Sequence, residues 1–267
     1  MSMRFTILGC GSSPGVPRIG GDWGACDPNN QKNRRRRCSM LVEKFGKDGV
    51  TRVVVDTGPD FREQCLSADI NWADAVLYTH PHADHVHGID DLRAFVLNKR
   101  QRVQIYANSS TLERLYQGFG YCFETPSGSS YPPILEANEI DHGRMISIEG
   151  PGGAIEILPF DQVHGDITSL GFRIGHLAYS SDISALPDQS RQMLKGLSHW
   201  IVDALRYRPH PSHFSLEEAL EEIERVAPET AYLTHMHVDL DFEAVTLQTP
   251  QNVFPAFDGL TIKLKVP

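Results

Sequence analysis

The chain has 267 residues, 40% of them apolar, and its 25 basic and 34 acidic side chains leave a net charge of −9. That length suits one sizeable α/β domain spanning 1–267, and it buries a large core without disulfides or metal staples, so a bound metal would serve chemistry rather than the fold. The acidic balance argues against a dedicated nucleic-acid binder, and no run approaches the roughly 20 apolar residues of a membrane span.

Short β-rich runs predict strands over 5–8, 39–42, 52–55, 75–78 and 103–106. Between the first two lies Arg34-Arg35-Arg36-Arg37, helped by Lys32 and Arg18. It reads either as a solvated charge run or as an attractor for a phosphorylated substrate. Apolar residues recurring at threes (Val86, Ile89, Leu92, Phe95) predict one amphipathic helix over 84–98, and Ser109 is a plausible N-cap for a helix to about Gln117. The stretch 118–142, with Tyr121, Phe123, Tyr131 and Pro132-Pro133, is the least regular. It suits a functional lid or wall, or alternatively an unrecognised hairpin.

The second half repeats the theme. Ile148 with 155–158, then 170–174 and 177–179, read as hairpin strands, and 200–202, 231–233 and 260–266 as later strands. Between two of these, Ser215-Leu216-Glu217-Glu218 is a capping box opening a helix with Leu216, Ala219, Leu220 and Ile223 inward. The pattern predicts two packed mixed sheets sandwiched by helices. Five cysteines, at 10, 26, 38, 65 and 122, form no C-x-x-C pair, and Ile7-Leu8-Gly9-Cys10 lacks the apolar core of a signal peptide. Both point to a reducing cytoplasm.

The chemistry concentrates at Thr79-His80-Pro81-His82-Ala83-Asp84-His85, directly after the strand at 75–78. Imidazoles and a carboxylate in a tight loop suit zinc, manganese or iron, with one metal expected and two plausible. His164, Asp182 and His235 also stand just past apolar strands, where loops at one sheet edge converge.

The pattern H-x-H-x-D-H followed by separate His, Asp and His residues resembles the metallo-β-lactamase superfamily, an αββα sandwich of two mixed β-sheets flanked by helices. Thr79–Gly88 continuing into Ile89-Asp90-Asp91-Leu92-Arg93, the arginine run into Cys38-Ser39, and Val55-Asp56-Thr57-Gly58-Pro59-Asp60 resemble its phosphoribosyl cyclic phosphate phosphodiesterases. The resemblance implies that His80, His82 and His164 hold one divalent ion (Zn or Mn). It implies that Asp84, His85 and His235 hold a second, that Asp182 bridges them, and that Asp56 steadies the histidine loop from behind. It further implies hydrolysis by a metal-bridging hydroxide, with Asp84 and His213 as catalytic residues; His213 is the candidate general acid or phosphate clamp, and His210 a weaker substitute. The expected substrate is a small cyclic phosphate or nucleotide-like phosphodiester; a tRNA-maturing nuclease of the tRNase Z type and a thioester or lactone hydrolase are the alternatives. Relatives are often dimers, and no stretch identifies an interface here. The resembling enzymes also carry a structural zinc on a C-x-C-x-x-C segment. Here Asp22-Trp23-Gly24-Ala25-Cys26 keeps only Cys26, so no such site is expected.

Overall fold

The computed structural model describes residues 2–265. Strands β1 (Ser2–Gly9), β2 (Ser39–Gly46), β3 (Gly49–Val55), β4 (Ala75–Leu77), β5 (Val103–Ala107) and β6 (Leu135–Glu139) form one sheet with β14 (Thr261–Lys265), in the order β14-β1-β2-β3-β4-β5-β6. The second sheet holds β7 (Ile146–Ile148), β8 (Ile155–His164), β9 (Ile167–Ile174), β10 (Leu177–Ser180), β11 (His199–Asp203), β12 (Thr230–Thr234) and β13 (Val253–Pro255), in the order β13-β12-β11-β10-β9-β8-β7. Each sheet is antiparallel on one side and parallel on the other: β3, β4, β5 and β6 run parallel in the first, and β10, β11, β12 and β13 in the second. This is the predicted pair of mixed sheets.

Helices α1 (Phe61–Ser67), α2 (Ala83–Val86), α3 (Arg93–Lys99), α4 (Ser109–Phe119), α5 (Asp188–Met193), α6 (Leu216–Val226) and α7 (Phe242–Gln248) cover the sheets. Period-two alternation sorts the strand residues. Phe5, Val42, Val53 and Val55 face inward against Phe160, Phe172 and Tyr179 of the other sheet. Their neighbours Leu41, Val54 and Val76 face outward onto Phe61, Ile89, Leu92 and Phe95. Both sheet faces are therefore dry, which fixes the register of each strand, because a slip of one residue would exchange the two apolar sets.

Several sequence expectations shift. The single helix over 84–98 is three pieces: α2, a 3-10 turn at Ile89–Leu92, and α3. A strict spacing of three is the period of a 3-10 helix, and Gly88 is where the chain turns. A Cβ there would lie 2.2 Å from the Gly58 carbonyl oxygen, and Gly88 N donates to the Thr57 carbonyl at 2.8 Å, so the α ladder is diverted into a contact with the Asp56–Asp60 turn. Asn108 rather than Ser109 caps α4, its side chain accepting from Thr111 N. Segment 118–142 carries a 3-10 turn at Gly120–Cys122 and β6, the edge strand of the first sheet. Its Phe123, Ile134 and Leu135 are core residues, whereas Tyr121 and Tyr131 are exposed. The capping box is formed as read, and of the last strand Val266 lies outside the described residues.

Candidate metal centre

The parallel strands of both sheets end at one edge, and the polar residues that follow them meet there. Asp56 follows β3, Thr79 and His80 follow β4, Asp182 follows β10, Asp203 ends β11 and His235 follows β12. Asp56, Asp182 and His235 all adopt positive φ (60°, 53° and 58°), a conformation disfavoured for residues with a Cβ. Among the described residues, three of the six non-glycine residues with positive φ are thus in this cluster, where the strand must stop abruptly and turn its side chain to the centre.

Among the described residues four overlapping ligand-type groups result; two share His213, and the other two hold the residues singled out in the sequence. His80, His82 and His164 bring one ring nitrogen each into a common space: His82 Nδ1 is 3.0 Å from His80 Nε2 and 3.2 Å from His164 Nε2. Asp84, His85, Asp182 and His235 form the other: His85 Nε2 lies 3.4 Å from Asp84 Oδ2 and 3.1 Å from Asp182 Oδ2, and His235 Nε2 lies 3.5 Å from Asp182 Oδ1. Asp182 Oδ1 is also 3.7 Å from both His80 Nε2 and His164 Nε2, so its carboxylate stands between the groups. All seven residues singled out in the sequence are thereby brought together. All but His82 and Asp84 are buried.

The residues present fit cations. His85 Nε2, His235 Nε2 and Asp182 Oδ2 are buried without a hydrogen-bond partner despite their proximity, because they face a shared space rather than one another. The electrostatics agree. Burial, reinforced by the neighbouring His85, holds His80 well below the usual imidazole range, so it is a neutral donor of electron pairs. Burial also opposes charge on His235, yet Asp182 and Asp84 push it up to about 9. His85 is likewise raised, against burial, by Asp182, Asp84 and Asp56. Carboxylates that force protons onto buried imidazoles mark a site demanding positive charge, which a divalent ion supplies without them.

Behind the ligands stands a buried support. Asp56 accepts from Thr79 N at 2.8 Å, from Thr79 Oγ1 at 2.8 Å and from His85 Nδ1 at 2.7 Å. The Thr79 hydroxyl, having given its proton to Asp56, accepts from His80 Nδ1 at 2.9 Å. One carboxylate therefore sets the tautomer of two histidines, leaving both Nε2 atoms to face the centre. His164 Nδ1 is fixed in the same way by the Ser212 carbonyl at 2.7 Å.

The sequence reading missed Asp203. It is fully buried, and its Oδ2 accepts from His213 Nδ1 at 2.7 Å and from Ile183 N at 3.1 Å, while Oδ1 lies 3.8 Å from His235 Nδ1. His213 Nε2 is 3.9 Å from Asp182 Oδ1, so His213 borders the centre with its far nitrogen anchored. The available signal was position: Asp203 ends its strand as Asp56 follows its own.

The arginine run divides by burial. Arg35 is buried and donates to the Leu240 and His237 carbonyls and to Asn33 Oδ1, clamping the loop after β1 to the chain beyond His235. Arg36 pairs with Asp258, Arg37 with Asp60, and Arg34 lies over the Trp23 ring. Cys26 sits in a small apolar cluster with Val16, Val238 and Trp23.

A model of the β-lactamase superfamily domain matches residues 51–236. A crystal structure described as a new diphosphatase from the PhnP family superposes with a TM-score of 0.88 at 36% identity, covering 99% of this chain and 98% of that one. The chain belongs to the β-lactamase superfamily, within its PhnP family. It is accordingly a metal-dependent hydrolase, and the histidine and aspartate cluster described above offers the ligand types that divalent ions take. Zn(2+)-bound PqqB from Methylobacterium extorquens shares the fold, with a TM-score of 0.74 at 17% identity over 98% of this chain and all of that one. Among curated relatives, an octanoyltransferase of Porphyromonas gingivalis is 31% identical over 263 residues, 97% of this chain and 51% of that protein. The chain thus spans about half the length of that relative. Among the described residues no helix is long and apolar enough to cross a membrane.

Proposed function

We propose that the chain is a dinuclear phosphodiesterase acting on a small cyclic phosphate or nucleotide-like phosphodiester. In this reading His80, His82 and His164 hold one ion, Asp84, His85 and His235 the other, Asp182 lies between them, and the metals are Zn or Mn. The observation that carries the proposal is the Asp203–His213 pair, which holds the imidazole with Nε2 toward the metal site. When bound, the ions make water acidic enough to attack near neutral pH and draw charge from the phosphoryl oxygens.

The chain's own residues supply the rest. Asp203 accepts from Nδ1 of His213, which leaves Nε2 to carry and deliver a proton to the departing oxygen. The buried Ile183 N–H shares the same carboxylate oxygen and stops it from rotating. Thr79 and Asp56 keep His80 and His85 from swinging away when substrate enters. The likeness to a PhnP-family diphosphatase supports phosphoryl over other ester chemistry.

A second reading, thioester or lactone hydrolysis, is favoured only by the octanoyltransferase name of a relative that the chain half covers. Steady-state hydrolysis of bis(p-nitrophenyl) phosphate, adenosine 2′,3′-cyclic phosphate, an octanoyl thioester and a lactone separates the two. The proposal expects the phosphodiesters to be cleaved, and His213→Ala to lower kcat by about 10² or more with metal content unchanged. Faster turnover of the acyl substrates, or loss of metal in His213→Ala, would overturn the assignment.

A further inference from the structure

Residues 10–38 join β1 to β2, and they are fastened to the chain that follows His235. Met236 N donates to the Cys10 carbonyl at 2.9 Å, and Ser12 N to the Met236 carbonyl at 3.3 Å. The Val238 carbonyl accepts from Ala25 N at 2.9 Å and from the Cys26 thiol at 3.4 Å. Arg35 completes the attachment. Its Nη2 donates to the Leu240 carbonyl at 2.7 Å and to Asn33 Oδ1 at 3.2 Å, and its Nη1 to the His237 carbonyl at 3.4 Å. Asn33 carries the link onward, accepting from Phe242 N at 2.8 Å and donating to Asp241 Oδ2 at 2.6 Å. Arg35 is only 2% exposed, and a side chain of this charge is seldom buried unless several acceptors hold it. Its planar fork reaches two carbonyls three residues apart at once, which a lysine ammonium, a single point of charge, does not.

His235 depends on that hold more than the other buried histidines of the centre do. His80, His85 and His164 each donate from Nδ1 to a fixed acceptor, at 2.9, 2.7 and 2.7 Å. His235 Nδ1 has no hydrogen-bond partner among the described residues, and Asp203 Oδ1 stands 3.8 Å from it. The ring is therefore placed by its own backbone, whose φ of 58° is disfavoured for a residue with a Cβ. Such a conformation persists only where the chain on both sides is held. Before His235, the Thr234 carbonyl accepts from Ala204 N at 3.0 Å. After it, His237 N donates to the Leu205 carbonyl at 2.9 Å, and the carbonyls of His237 and Leu240 are left to Arg35.

We propose that Arg35 is the positioning residue for His235, and that through it Arg35 governs the filling of the ion site formed by Asp84, His85 and His235. The chain beyond His235 leaves the sheet, and the Arg35 fork is what ties two of its carbonyls to a buried point. The site of His80, His82 and His164 draws its support from Thr79, Asp56 and Ser212, none of which Arg35 touches. Removing the fork therefore acts on one ion site and spares the other. A residue that merely stabilised the fold would act on both alike.

This role rests on the dinuclear reading, and affinities measured site by site tell the two apart. Competition titrations of the metal-free protein with zinc and a chromophoric chelator give the dissociation constants. Anomalous peaks from crystals grown at limiting zinc assign each constant to its site. In Arg35→Met the site of Asp84, His85 and His235 should weaken about tenfold or more, the usual effect of removing a group that orients a ligand, and the site of His80, His82 and His164 by less than about threefold. Arg35→Lys, which keeps the charge and loses the fork, should weaken the same site by a smaller factor, and it serves as the test if Arg35→Met does not fold. Leu115→Ala, which opens the core beneath α4, should leave both constants near wild type. Equal weakening of both sites in the Arg35 variants, no weakening of either, or the same selective loss in Leu115→Ala overturns the proposal. Wild-type protein that takes up a single ion at saturating zinc overturns the dinuclear reading, and this role with it.

Discussion

Asp56 gives the sharpest way to probe how the metal centre is built. It is buried completely and serves three donors: Thr79 N–H, Thr79 Oγ–H and His85 Nδ1–H. Asp56→Ala strands all three, at roughly 1–3 kcal/mol for each buried unsatisfied group, so a destabilisation of about 3 kcal/mol or more is expected in the metal-free protein. For a chain of this size that is a fall in Tm of roughly 6–12 °C. Freed from their common support, His80 and His85 should also lose metal affinity by about 10–100-fold, the usual effect of removing the group behind a ligand.

Asp56→Asn separates these two effects. It keeps one oxygen for Thr79 N–H and fills the same space, so most of the stability should survive. Its amide N–H₂, however, faces His85 Nδ1 and drives the ring proton to Nε2, the atom that must be bare to bind metal. Calorimetry of the metal-free variants and competition titrations against a chelator measure the two effects separately. Wild-type metal affinity in both variants, with Tm within about 2 °C in Asp56→Ala, would refute the argument that this carboxylate organises the histidine loop.

Other perturbations probe neighbouring parts. Asp203→Asn should lower kcat on bis(p-nitrophenyl) phosphate by roughly 10²-fold through the orientation of His213, with a smaller loss of metal affinity through His235; unchanged kcat would detach Asp203 from the reaction. Gly88→Ala places a methyl 2.2 Å from the Gly58 carbonyl and 2.8 Å from Phe61 Cβ, both on the rigid turn after Asp56. Thermal melts should show a loss of at least about 1–3 kcal/mol, and elemental analysis should show reduced metal, since the same contact carries Asp84 and His85. A variant with wild-type melting and metal content would show that this contact is soft.

Much of the metal centre was legible because its residues obey a local rule. His80, His82, Asp84 and His85 crowd one loop, and His164, Asp182 and His235 each follow an apolar strand, so parallel strands deliver them to one edge. Asp203 escaped because a single aspartate closing a strand looks like any strand end; its meaning lies in His213, ten positions on and brought back across the chain. The helix over 84–98 was misread because spacing at threes satisfies α and 3-10 periods alike over a short span. The deciding contact, Gly88 on Gly58, is thirty positions away. Of Arg34–Arg37, Arg35 is a buried clamp, Arg36 and Arg37 are half-buried in ion pairs and Arg34 is exposed, and sequence alone did not say which faced in.

The proposed function requires one carboxylate, Asp182, to join two ion sites built from these loops. Crystals grown with excess zinc or manganese, with anomalous data at the metal edge, test it directly. Two peaks per chain are expected, one among His80, His82 and His164 and one among Asp84, His85 and His235, with Asp182 contacting both. A single ion at saturating metal, or a second ion held by other residues, would contradict it.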